Sequence, residues 1–283
     1  MPSVFTKSLR DQKWQILGFG LALAVIGALD VFIWPAYRDA LQNLQVPAAV
    51  QAFLGSDLSI ATGPGFLSSE FFSWTPILLI VYAVIQGTGA IAGEEGSGTL
   101  DLLLAQPVAR RDVLVQKAAA SCLGSVLMVA IGAGGFFVSV PFVDINVTLR
   151  EITLAMANML PITLFFFALS LWLSAVAPSR GLASGVAIGV VTAAYFVNTL
   201  AIGVRSLESL KYASPFYYYG AGLPLVNGIA WPHVALLLGI AAAFVVLALH
   251  AFARRDVATG GSDIDVLGAL RLRRGARSRG GMA

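Results

Sequence analysis

Six stretches of this sequence stay apolar for about 20 residues or more: Gln15 to Trp34, Trp74 to Gly93, Ala118 to Phe142, Ile152 to Ala177, Leu182 to Val204 and Val234 to Ala253. An α-helix rises about 1.5 Å per residue, so a run of this length spans the roughly 30 Å hydrocarbon core of a bilayer. Composition points the same way. Apolar residues make up 58% of the 283 and charged residues 12%, against about 25% charged in a soluble domain. Too few polar groups remain to coat a water-exposed surface. The expected fold is all-α, a polytopic membrane protein with six transmembrane helices. A soluble enzyme, a nucleic-acid-binding module, a disordered regulator and a disulfide-stapled scaffold are excluded. The first run is expected to be a retained span, because it exceeds a signal h-region, lacks an A-x-A-like site and carries Asp30 before Trp34-Pro35.

Six crossings bring both termini to one side, and charge says which. With the termini inside, the inner face holds Lys7, Arg10, Lys13, Arg110, Arg111, Lys117, Arg180, Arg254, Arg255 and five arginines of the C-terminal tail, 14 basic residues. The outer face holds Arg38, Arg150, Arg205 and Lys211, only 4. This asymmetry predicts cytoplasmic termini. Fourteen of the 18 basic residues are Arg, amid much Ala, Gly and Val, which suggests a GC-rich bacterial genome and hence the inner (plasma) membrane. Residues 1–14 set Val4, Phe5 and Leu9 among Lys7, Arg10, Asp11 and Lys13, as in an interfacial amphipathic helix. The six-span domain then covers 15–253, and 254–283 form a basic cytoplasmic tail. Outside, Val46, Val50, Phe53 and Leu54 recur at helical spacing after Pro47, predicting a surface helix, while Ser214-Pro215-Phe216-Tyr217-Tyr218-Tyr219 belongs at a headgroup boundary.

No catalytic or metal-binding constellation emerges. Cys122 is alone, and His233 and His250 stand at opposite ends of the last span with no Cys or acid nearby. Ser184 lacks the preceding glycine of a nucleophile elbow. No G-x-x-x-x-G-K-[ST] occurs, so the chain has no P-loop of its own. Gly87, Gly89 and Gly93 read as helix-packing residues rather than a dinucleotide loop. Gly181, Gly185 and Gly189 form one small-residue stripe that suits packing within the chain and a homodimer face equally well. Among polar residues inside the runs, Gln86, Asn158, Thr192 and Asn198 are the candidates for a translocation path, with interhelical hydrogen bonding the alternative.

The inner loop between the second and third runs is the most informative stretch. Glu94 and Glu95 end a membrane helix, Gly96-Ser97-Gly98 turns the chain, and Thr99 to Ala105 reads as a short helix stopped near Pro107. Leu100, Leu103 and Leu104 give it an apolar face about one turn long where a polar loop is expected, and such a face calls for a partner groove or burial between the chain's own helix ends.

This loop resembles the signature of permease subunits of type-two ABC transporters, the class that includes drug, polysaccharide and copper-enzyme-maturation exporters. The resemblance is carried by Glu94 or Glu95, Gly98-Thr99-Leu100, Leu103-Leu104, Pro107-Val108, Arg110-Arg111 and Lys117, with Ser214-Pro215-Phe216 and Phe252-Ala253-Arg254-Arg255-Asp256 as further matches. Ala109 departs from it, standing where Ser or Thr is frequent. The resemblance implies that Thr99 to Ala105 is a coupling helix docking in a separate cytoplasmic ABC ATPase. It implies that two permease chains join two ATPases, and that the second and fifth spans line an export path. ATP and Mg²⁺ would be held by the ATPase, with no cofactor on this chain and membrane lipid as the remaining partner. A stand-alone secondary carrier would need paired ionisable residues at mid-membrane and an internal repeat, and neither is present. A non-transporting assembly protein would not need the apolar inner loop.

Overall fold

The computed structural model describes residues 3–42, 62–96, 98, 109–220 and 224–255, which form helices and turns with no strand among them. Six helical segments are long and apolar enough to cross a membrane: Val4–Ala40, Pro76–Gly96, Arg110–Phe142, Leu149–Val176, Arg180–Ala201 and Trp231–Arg254. Each overlaps one of the six apolar runs, and they are called here the first to sixth spans. Apolar side chains such as Leu21, Val25, Val186, Ile188, Val246 and Leu247 point outward, as lipid-facing helices require. The chain is an all-α, multi-pass membrane protein.

The first span belongs to one helix, Val4–Gln42, of 39 residues. No Gly-Pro break separates its charged start from its apolar body, so the amphipathic N-terminal segment runs straight into the span. At 1.5 Å per residue the helix is roughly 58 Å long, well beyond the hydrocarbon thickness. The Phe5 amide donates to Gln116 Oε1 at 3.1 Å, tying its start to the third span. The two helices pack along their length. Their backbones meet at Gly135, where a Cβ would lie 2.0 Å from the Ala24 carbonyl oxygen.

The fourth span is the centre of the bundle. In its most apolar window 78% of residues are buried, and the second and sixth spans pack on it. Its start is set by a capping box: Glu151 N donates to Thr148 Oγ1 at 3.3 Å and Thr148 N to Glu151 Oε2 at 2.8 Å. The helix Leu149–Ala157 gives way at Asn158 to Met159–Val176. Pro161 has no N–H to offer the Ala157 carbonyl four residues back, which is why the break falls there. The fifth span is the opposite case, with 11% of its window buried.

Three contacts gather the N-terminus, the start of the third span and the end of the sixth at one end of the bundle: Phe5 to Gln116, Arg110 to Arg255 and Arg255 to Glu95. This is the basic end. At the other, Trp34 Nε1 donates to the Asp144 carbonyl at 3.2 Å, and the helix Gly63–Glu70 packs Phe66 against the Trp34 and Tyr37 rings. The surface helix expected around Val46, Val50, Phe53 and Leu54 lies outside the described residues, as does the tail beyond Arg255.

Candidate functional site

The second span changes winding as it reaches the basic end. It is α-helical over Pro76–Thr88, takes π winding over Gly89–Gly93 and closes with Glu94–Gly96. Such winding displaces backbone groups from their usual partners and is frequent at functional sites. Here side chains from two neighbouring spans take them up. Ser174 Oγ accepts from Ile91 N at 3.2 Å and Ala92 N at 2.9 Å and donates to the Thr88 carbonyl at 2.9 Å. Lys117 Nζ donates to the Ala90 carbonyl at 2.7 Å. The Ser174 hydroxyl thus uses its one proton and both lone pairs. Its reach depends on Gly87, where a Cβ would stand 2.5 Å from Ser170 Cβ and 2.8 Å from the Phe167 carbonyl oxygen, so only glycine lets the second span sit this close to the fourth.

Two ion pairs hold the acids that follow. Glu94 pairs with Lys117, whose side chain is 8% exposed. Glu95 Oε2 accepts from Arg255 Nη2 at 2.6 Å, with both side chains about 15% exposed. Arg255 Nη1 also donates to the carbonyls of Ser174 at 3.1 Å and Ala175 at 2.9 Å, in the last turn of the fourth span, where a cation suits the negative end of a helix. Arg110 Nη1 donates to the Arg255 carbonyl at 2.7 Å and its guanidinium lies 5.9 Å over the Phe252 ring. Shielded charges of this kind are tolerated because each is paired and hydrogen-bonded.

Of the residues singled out in the inner-loop signature, the structure brings Glu94, Glu95, Arg110 and Lys117 into one network. Lys117, just before the apolar run that starts at Ala118, sits two turns inside a helix that starts at Arg110. Arg111 is exposed in the first turn of that helix. Gly98 has φ +71, a left-handed conformation natural to glycine. Thr99, Leu100, Leu103, Leu104 and Pro107 lie outside the described residues.

The four path candidates do not converge. Gln86 faces a polar cleft at the basic end and hydrogen-bonds Gln15. Asn198 lines a separate cavity of about 200 Å³ near the opposite end, with Tyr195, Phe216 and Tyr219. Asn158 is buried and donates to the Tyr219 carbonyl at 3.0 Å, and Thr192 is exposed on the fifth span. Burial pushes the Tyr219 phenol above its ordinary range, so it stays a neutral donor to the Phe72 carbonyl at 2.8 Å.

The glycines divide differently from the sequence reading. Gly181, Gly185 and Gly189 are exposed, and a Cβ on any of them meets nothing within 4 Å, so among the described residues the stripe packs on nothing. Gly87 is a helix-packing residue, whereas Gly89 and Gly93 lie beside the Arg180 side chain. Ser174 and Arg180 are the participants that sequence reasoning misses. A serine four residues after Ser170, on the same face of the fourth span, is the sequence signal for the former.

No curated protein matches the chain. A protein family described as ABC-2 family transporter protein matches residues 5–257, a stretch that takes in all six spans but for Val4, together with the π turn and the Glu94 and Glu95 ion pairs. The chain belongs to the ABC-2 family of transporter proteins, as a transmembrane permease component.

Proposed function

We propose that this chain is the permease subunit of an ATP-driven exporter in the bacterial inner membrane, with both termini cytoplasmic. It pairs with a second permease chain and with separate cytoplasmic ABC ATPase subunits, which bind ATP and Mg²⁺; this chain carries no P-loop. The observation that carries the reading is the bracing on either side of the 97–108 loop. Glu95 is tied to the sixth span and, through Arg255, to the end of the fourth, while Glu94 is tied to the third.

A displacement of the loop is therefore a displacement of the ends of four helices at once. The docking face is Leu100, Leu103 and Leu104, with Thr99 at the start of the helix and Pro107 at its end. Closure of the ATPase pair on ATP moves this face, and the network passes the motion into the second, third, fourth and sixth spans. Such coupling requires contacts that differ between the two nucleotide states.

The test is co-expression with a candidate ABC ATPase subunit, purification in detergent and assay in proteoliposomes. Wild type is expected to retain the ATPase and show vanadate-sensitive hydrolysis. Leu103→Asp is expected to release the ATPase while inserting normally. Retention of the ATPase by that variant, or substrate movement that persists without ATP, overturns the proposal.

A further inference from the structure

The cavity at the end opposite the basic one, about 200 Å³ in volume, lies where four elements meet. The fifth span contributes Tyr195 and Asn198, three residues apart and so on one face of the helix. Phe72 and Ser73 come from the turns after the helix Gly63–Glu70, Ala155 from the start of the fourth span, and Phe216 and Tyr219 from the helix Pro215–Gly220. The walls are pinned to one another. Tyr219 Oη donates to the Phe72 carbonyl at 2.8 Å, Asn158 Nδ2 to the Tyr219 carbonyl at 3.0 Å and Ser214 Oγ to the Ala194 carbonyl at 2.7 Å. The Tyr195 and Phe216 rings meet edge to face at 5.5 Å. Held in this way the cavity is pre-formed, as small-molecule sites usually are.

Its lining sets three properties of an occupant. The first is size: an apolar cavity of about 150 Å³ accepts benzene, so this one takes a single ring with a small substituent. The second is charge. Among the described residues that line the cavity there is no Asp, Glu, Lys, Arg or His, so a charged ligand would be shielded from water without a counter-ion. The third is polarity. Asn198 Oδ1 is shielded from solvent and has no hydrogen-bond partner among the described residues. The hydroxyls in the same lining cannot answer it, because Tyr219 has given its proton to the Phe72 carbonyl and Ser73 to the Ser69 carbonyl. The donor has to come from the occupant. Four rings in the wall favour a flat aromatic face over a saturated one.

We propose that this cavity binds a small neutral aromatic of the phenol class, its ring among Phe72, Tyr195, Phe216 and Tyr219 and its O–H donated to Asn198 Oδ1. An alkyl chain would fill the space and leave Asn198 unpaired. A sugar ring would bring more hydroxyl groups than a lining dominated by rings can pair. The inference uses the fold and neither the export reading nor the ATPase pairing, so its test uses this chain by itself.

The experiment is fluorine NMR of the full chain in lipid nanodiscs, with empty nanodiscs as the reference for partition into the bilayer. The probes are para-fluorophenol, para-fluorotoluene, which has the same shape and no donor, and para-fluorobenzoate, which is charged. Wild type is expected to bind the phenol about tenfold more tightly than the toluene, the size of one hydrogen bond to an otherwise unpaired acceptor. It should bind the benzoate no more than empty nanodiscs do. Asn198→Leu, similar in volume and without the acceptor, should bind the phenol and the toluene alike. Ala155→Leu, which fills part of the cavity, should exclude both. Val186→Ala, outward-facing on the same span and outside the cavity, should leave all three probes unchanged. Melting temperatures establish that each variant is folded, and if Ala155→Leu is not, Asn198→Leu decides alone. Equal binding of phenol and toluene by wild type, or a preference that survives in Asn198→Leu, overturns the proposal. Displacement of the phenol by an equal concentration of glucose overturns the aromatic occupant.

Discussion

Arg255 crosses from the end of the sixth span to Glu95 at the end of the second, Nη2 to Oε2 at 2.6 Å, and holds the fourth span's last carbonyls with its other arm. Three spans that are distant in sequence thus share one guanidinium. Arg255→Met should leave Glu95 shielded and unpaired and lower stability by about 3 kcal/mol, the scale of breaking a buried pair. Adding Glu95→Gln should recover part of that loss. Thermal unfolding in detergent across the double-mutant cycle should return a coupling of about 1–3 kcal/mol, whereas strict additivity would mean that the pair is energetically idle.

Lys117 serves a carboxylate and a backbone carbonyl at once. Lys117→Met removes both services and should destabilise the protein more than Glu94→Gln, which leaves the bond to Ala90 in place. The same melting assay ranks them, and the reverse order would show that the charge pair outweighs the carbonyl contact.

Ser174→Ala deletes one hydroxyl and three hydrogen bonds. A loss of about 2 kcal/mol is expected, because the freed groups are buried and find no water. Hydrogen exchange offers the sharper readout: the amides of Ile91 and Ala92 should lose protection while those of Ile80 to Ala83 keep theirs.

Two glycines should respond oppositely to an added methyl. Gly87→Ala places a Cβ 2.5 Å from Ser170 Cβ and should force the second and fourth spans apart, at about 1–3 kcal/mol. Gly185→Ala meets nothing within 4 Å and should leave the melting temperature of the single chain unchanged or slightly higher. If a second permease chain seats on the stripe, Gly185→Leu should reduce the dimer fraction in crosslinking or light scattering without altering the monomer.

The spans were legible because membrane crossing is a one-dimensional property, set by apolar length. Glu94, Glu95, Arg110 and Lys117 stand out as a concentration of charge in a chain that is 12% charged, and the structure brings those four together, while Thr99 to Pro107 between them lie outside the described residues. What escaped notice depends on partners far away in sequence. Ser174 reads as a tolerated small polar residue until the displaced amides of the second span are set beside it. Arg180 and Asp11 are 169 positions apart and share a cleft only because four helices enclose one. The glycine stripe shows the same limit from the other side: its period identifies a face of a helix and carries no information about what the face meets. The first helix was the converse case. No breaker interrupts the chain near residue 14, so the charged segment expected to form a separate interfacial helix is continuous with the span.

The π turn at Gly89–Gly93 also means that chain length and spatial length part company at one place in this protein. A segment wound this way holds about one residue more than an α-helix needs for the same turn, while its flanks keep their faces toward their partners. Loss of a single codon there would straighten the winding and leave Tyr82 on one side, and Glu94 and Glu95 on the other, directed much as before. Elsewhere in the second span the same deletion would turn every later side chain by about 100° and break both ion pairs. A scan of single-residue deletions along the span should therefore show one island of tolerance for thermal stability in detergent, at the π turn.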